Sequence, residues 1–260
     1  MNLYWNIIKF NFFRFWTYPF EVLAVIGKRT TSIIFLTLFW TIIGKYSTNP
    51  VNLKDITSYF LIASAVNTFV MAEYTVFGDW ISEIIKQGDL NNYLIKPVNI
   101  LPYLYSTYFG KIGLRLSFSA FTLILGLIIS PPQSFTSIGL FIVFLALAIV
   151  ISFSFNIFIG VLAFYITEVK GIRNSVGHFI SILSGASAPL TLFPVGLKEF
   201  ILLTPFPYMI YGPINGLKTN VLDISVFKGL AISLIWAIAL LVLAYLVWQK
   251  GIKKYEAIGI

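Results

Sequence analysis

Six stretches of this chain stay apolar for long enough to cross a bilayer, and the polar breaks between them are short. They fall at about 22–43, 56–78, 103–129, 137–166, 176–194 and 228–248. Each helical crossing of a hydrocarbon core needs about 20 apolar residues, so six of them leave no room in 260 residues for a second, water-soluble domain. Only 11% of the chain is charged and 58% is hydrophobic, whereas an ordinary soluble domain carries about 25% charged residues. The expectation is therefore an all-α integral membrane protein, with residues 1–260 forming a single transmembrane domain.

Basic residues outnumber acidic ones by 18 to 10. They gather at the ends of the apolar runs, where anionic headgroups lie, so the excess points to the lipid membrane and not to nucleic acid. The chain has no cysteine, which excludes disulfides, thiolate metal sites and a cysteine nucleophile. The first 20 residues lack an apolar core followed by a small-residue cleavage site, so no removable signal peptide is expected.

An even number of crossings puts both termini on one side. If that side is cytoplasmic, the inner flanks carry 13 Lys and Arg and the outer flanks carry five: Lys45, Lys54, Lys198, Lys218 and Lys228. Positive charge is retained inside during insertion, so a multi-pass protein of the plasma membrane with cytoplasmic termini is expected. Residues 1–20 suit a helix lying in the interface, with Tyr4, Trp5, Ile8, Phe12, Phe15 and Trp16 on one stripe and Pro19 as its breaker. Residues 189–218 contain Pro189, Pro194, Pro205 and Pro213 among apolar residues. That density of proline argues for short helices dipping into the outer leaflet, not for a continuous span.

The break after the second run is the most informative. Trp80, Ile81, Ile84 and Ile85 share one helical face while Ser82, Glu83 and Lys86 share the other; Asp79 is placed to cap the start and Gly88 to end it. A short amphipathic helix held between two spans, within a cytoplasmic segment 79–98, is a suitable lever for a soluble partner, with the apolar face as the expected contact. Glu73 lies near the inner end of the second run, and Lys111 and Arg115, at i and i+4, are candidate ion-pair partners or pathway residues. His178 stands alone of its kind, so no metal cluster is built on it. Asn67 and Asn156 fall within runs, where packing or an inter-helix hydrogen bond is the default.

No G-x-x-x-x-G-K-[ST] phosphate loop occurs, and Leu183-Ser184-Gly185 is embedded in an apolar run. The chain is thus expected to bind no cofactor and to catalyse nothing. If ATP drives it, another chain binds the ATP.

Ile84-Ile85-Lys86-Gln87-Gly88-Asp89-Leu90, followed by Tyr93-Leu94-Ile95-Lys96-Pro97-Val98-Asn99, resembles the cytoplasmic motif of type 2 permeases of ATP-binding-cassette (ABC) exporters. Pro189, Phe193-Pro194, Pro205-Phe206 and Tyr211-Gly212-Pro213 resemble that family's outer re-entrant region. The tail Gly251-Ile252-Lys253-Lys254-Tyr255-Glu256 with Gly259 resembles the uncharacterised branch that includes viologen-exporter-like permeases. The resemblance implies an amphipathic elbow helix, six spans and a coupling helix formed by Asp79, Trp80, Ile81, Glu83, Ile84, Ile85, Lys86, Gly88, Asp89 and Leu90. It also implies a second permease chain, as homodimer or heterodimer, and two ABC ATPase subunits that carry the ATP and Mg. The rival readings are an ion-driven secondary transporter, which calls for repeated halves and ionisable groups at mid-membrane, an intramembrane enzyme, and a purely structural membrane subunit.

Overall fold

The computed structural model describes residues 3–14, 19–45, 52–70, 76–95, 97–166, 169–219 and 222–255, and among these it is all helix, turn and loop. The helices are α1 (Leu3–Arg14), α2 (Pro19–Lys45), α3 (Leu53–Phe69), α4 (Val76–Lys86), α5 (Asn91–Leu94) and α6 (Ile100–Lys111), followed by α7 (Gly113–Ile129), α8 (Phe135–Val161), α9 (Val169–Leu183), α10 (Val195–Ile201), α11 (Pro207–Lys218) and α12 (Ile224–Lys254). Three segments are long and apolar enough to cross a membrane: Leu23–Lys45, Phe135–Phe164 and Ile224–Lys253. A fourth arises if Ile100–Lys111 and Arg115–Ile129, bent by 67°, count as one broken span. The protein is therefore membrane-embedded, because a soluble fold would not leave Ile34, Phe35, Leu38, Ile235, Ile238 and Leu246 each at least half exposed.

Two large cores, with a small third cluster around Leu190, Ile201 and Tyr211, organise the described residues. The larger is built from α3, α8 and α11 with one side of α12, around Phe60, Val66, Ile151, Met209, Ile210 and Ile214. The other lies at the far end of α8, where α4, α6 and α12 bury Ile81, Leu90, Leu104, Ile157 and Trp248. Close approach of backbones sets both. Gly126 of α7 abuts Ile62 of α3, and Ser58 donates a hydrogen bond to the Gly126 carbonyl at 3.1 Å.

Several helices end elsewhere than the apolar runs do. The run at 103–129 is broken at Ile112, between Gly110 and Gly113, because both glycines are pressed against α1: a Cβ on Gly110 would stand 2.6 Å from the Ile8 carbonyl oxygen, and one on Gly113 2.1 Å from the Phe12 ring. The helix expected to lie in the interface is α1; its inward side is Ile7, Ile8, Asn11 and Phe12, and Trp5 of the apolar stripe is half exposed. Phe15 and Trp16 lie outside the described residues.

The run at 176–194 is helical only as far as Leu183. Gly185, at φ +90°, turns the chain out of the helix, and Tyr59 donates to its carbonyl at 2.7 Å. Pro189 and Pro194 therefore lie beyond this helix, preceding a 3-10 turn at Leu190–Leu192 and α10 respectively. Pro205 is buried ahead of α11, and Pro213 sits inside α11, whose residues are nearly all buried against α3 and α8.

Asp223 caps α12: its carboxylate accepts from the Ser225 hydroxyl at 2.8 Å and from the Val226 N–H at 3.0 Å. The Ser225 bond, then the Val226 bond, hold the carboxyl below its ordinary range. Asp223→Ala is expected to lower the melting temperature at neutral pH. Because the folded-state pKa is the lower one, the cap contributes fully above the unfolded value of about 3.9 and is lost as pH falls through the folded value. Melting temperatures of the two proteins should converge as pH falls below the ordinary carboxylate range; a gap that widens on acidification contradicts this role.

Candidate functional site

The strongest local pattern in the chain, the amphipathic segment after the second run, folds as α4 and sits at one end of the molecule. Its apolar face follows from the i, i+1, i+4, i+5 placement of Trp80, Ile81, Ile84 and Ile85. Ile81, Ile84 and Ile85 are only 1%, 5% and 6% exposed, seated among Tyr108, Ile112, Ile157, Val161 and Trp248. Trp80 is half-buried between the Tyr108 ring, 6.0 Å away, and the Lys111 ammonium, 4.4 Å above its own ring. A cation over an indole face is an attractive pairing, and it ties α6 to α4.

This corrects the expectation that the apolar face meets a soluble partner. That face is already covered by α6, α8 and α12 of the same chain. The helix also begins at Val76, so Asp79 lies in its first turn, where a carboxylate favours the helix dipole, and does not cap the start.

The contact between α4 and α8 is made by backbone. A Cβ on Gly78 would stand 2.4 Å from the Asn156 carbonyl oxygen, and one on Gly160 would stand 2.8 Å from Ile81 Cβ and 2.9 Å from the Gly78 carbonyl oxygen. Only glycine fits at either place. Asn156 Oδ1 accepts the Gly78 N–H at 3.1 Å, and Asn156 Nδ2 donates to the Ser152 carbonyl at 2.9 Å. Gly78 is in the first turn of α4, where backbone N–H groups have no partner within the helix. The polar side chain that packing alone would explain is thus a clamp between two helices.

Gly88, at φ +77°, ends α4 and sends the chain back over it. The Leu90 N–H then donates to the Ile84 carbonyl at 3.2 Å, and Leu90 is fully buried. What remains outside is a compact polar tip of Lys86, Gln87, Asp89, Asn91 and Asn92, with Ile95 82% exposed beside it. Glu83 is half-buried at its edge. In the sequence, Ile95 is marked only as a large apolar residue within a polar break.

Of the remaining candidates, Glu73 lies outside the described residues. Lys111 and Arg115 stand on either side of the break at Ile112, on α6 and α7, and so do not share one continuous helix face. His178 is exposed on α9. Asn67 lines a cleft between α2, α3 and α9. At the opposite end of α8 from the α4 tip, α10, α11 and the start of α12 enclose a cavity of about 800 Å³ whose lining includes Lys198, Glu199, Tyr211, Asn215 and Lys228.

Gly160→Ala is expected to destabilise the protein by about 1–3 kcal/mol, since the added methyl meets backbone as well as side chain. Gly139→Ala on the same helix has nothing within 4 Å and should be neutral or stabilising by up to about 1 kcal/mol. Unfolding in detergent, followed by tryptophan fluorescence, measures both; equal effects of the two substitutions contradict the clamp.

No curated protein matches the sequence. The family model described as "ABC-2 family transporter protein" matches residues 26–259, nearly the whole of the chain, so the protein belongs to the ABC-2 transporter family and is an ABC-2 type permease.

Proposed function

We propose that this chain is the membrane subunit of an ATP-driven exporter, in which the tip of α4 and α5 docks on a separate ATPase. The observation that carries this reading is the pairing of an exposed polar tip with a rigid seat: the tip is open to a partner, and behind it α4 is locked to α8 through Gly78, Gly160 and Asn156. Family membership implies partnership with ATPase subunits. The permease supplies shape and motion. ATP and Mg belong to the partner.

In this reading α2, α3, α7, α8, α9 and α12 make six crossings, with α6 as the interfacial approach to α7. Both termini are cytoplasmic in the plasma membrane, as the 13-to-5 bias of basic residues supports. The short helices between Pro189 and Lys218 form the outer re-entrant segment, supported by the burial of α11 among α3 and α8. Two permease chains, identical or not, and two ATPases make up the transporter. The tail motif supports placement in the branch that includes viologen-exporter-like permeases, though residues 256–260 lie outside the described ones.

Motion of the tip would be carried by α8. Its other end is also held through backbone: Gly216 of α11 lies against the backbone of Leu140 and Phe141, where a Cβ would meet atoms at 3.1 Å, and Ser137 donates to the Thr219 carbonyl at 2.7 Å. ATP-driven closure of the partner would thus reach the outer cavity through one helix.

The test is copurification of the permease with its cognate ATPase. Lys86→Glu combined with Asp89→Lys should reduce complex recovery at least tenfold while lowering the melting temperature of the permease far less than Ile84→Asp does. Ile84→Asp should instead destabilise the permease itself, because an unpaired charge is driven into a covered apolar seat. Full recovery and normal coupled export by the double variant would remove the docking assignment. Cargo movement in vesicles lacking any ATPase would favour an ion-driven transporter.

A further inference from the structure

Between α2, α3 and α9 lies a cleft with about 110 Å³ of space for water, and its polar lining is of one kind. Lys28, Arg29 and Ser32 come from α2, Asn67 from α3, Ser181 from α9 and Ser184 from the turn just after it. Among the described residues that line it, two are cations and none is acidic. Arg29 is 9% exposed and donates through Nη1 to the Thr68 hydroxyl. The Thr68 bond fixes the guanidinium at the wall of the cleft, beside Lys28.

The surroundings continue the pattern in the direction of the α2 C-terminus. On the side of α2 that bears Lys28, Ser32 and Leu36, the next turns carry Phe35 and Phe39, stacked at 5.9 Å and 63% and 44% exposed. Ile42 and Ile43 follow, 60% and 41% exposed. A cationic, hydroxyl-rich recess thus opens onto an aromatic and aliphatic strip along one helix. Guanidinium and ammonium groups with several hydroxyl donors match the oxygens of a phosphate or carboxylate, and the strip matches a hydrocarbon chain.

We propose that this cleft seats the phosphate or carboxylate headgroup of a single-chain anionic amphiphile, its tail lying along Phe35 and Phe39. Resting on the exporter reading above, this makes anionic amphiphiles the cargo class. Helix α9, which lines the cleft, also packs against α4, so the site is within reach of the docking tip.

The site is tested on the full-length permease without its ATPase, so that its failure leaves the docking assignment standing. In nanodiscs of zwitterionic lipid, dodecyl phosphate should bind at least tenfold more tightly than dodecyl phosphocholine, which has the same tail. Lys28→Gln should weaken dodecyl phosphate about tenfold, the loss of one charge-assisted hydrogen bond, and Arg29→Gln should weaken it further. Lys28 is exposed, so its variant stays informative if the Arg29 variant fails to fold. Equal binding of the two amphiphiles, or unchanged binding by Lys28→Gln, overturns the site. Displacement by inorganic phosphate at equal concentration overturns the amphiphile in favour of a free anion. In the complex with ATPase, dodecyl phosphate should stimulate hydrolysis severalfold in the parent and not in Lys28→Gln; no stimulation in the parent overturns the cargo claim.

Discussion

Everything rigid about this protein depends on bringing helix backbones together without side chains between them. In a bilayer the hydrophobic effect does not drive helices against one another, because lipid is as apolar as leucine, so close packing and hydrogen bonds must hold them. Gly78 and Gly160 provide that closeness where α4 meets α8, and Asn156 adds a hydrogen bond to a backbone donor that the helix itself leaves open. A side-chain contact can absorb a displacement by changing rotamer; a backbone contact cannot. A push on α4 would therefore be passed to α8. With 27 residues at about 1.5 Å each, α8 is long enough to pass that movement across a membrane.

The same device recurs where α11 meets α8 at Gly216 and where α6 meets α1 at Gly110. These contacts also explain which parts of the fold were legible in the sequence. Apolar length exposed α2, α8 and α12, and the i, i+1, i+4, i+5 placement of Trp80, Ile81, Ile84 and Ile85 gave α4 and its stop at Gly88. A periodic pattern states that a face is apolar and does not state what will cover it. Because α6, α8 and α12 cover this one, the side left exposed is the polar tip.

Helix breaks were hidden for a related reason. The turn at Ile112 sits in a stretch whose composition differs little from a span, and it is set by α1 pressing on Gly110 and Gly113, a contact distant in sequence. The end of α9 at Gly185 depends likewise on Tyr59, 126 positions away. Asn156 was legible as a polar residue in a span, but its choice of Gly78 as partner was not, since hydropathy carries no record of which backbone donor lies unpaired.

The placement of charge along α2 bears on how an exporter could release what it holds. A site that binds by a single buried ion pair would keep its ligand, because removing one partner strands the other at a cost of several kcal/mol. The cleft is different: besides Lys28 and Arg29, it offers hydroxyls, and those at and just beyond the end of α9 are held locally, with Ser184 donating to the Ser181 carbonyl and Ser181 bonded to Ser187. Each such hydroxyl can return to a partner within its own segment when a headgroup leaves. A small shift of α9 against α2 would then separate cations from hydroxyls without leaving a buried group unsatisfied. Since α4 touches both α8 and α9, one displacement of the α4 tip would loosen the cleft and pull on the cavity beside α11 together, as the proposed coupling requires.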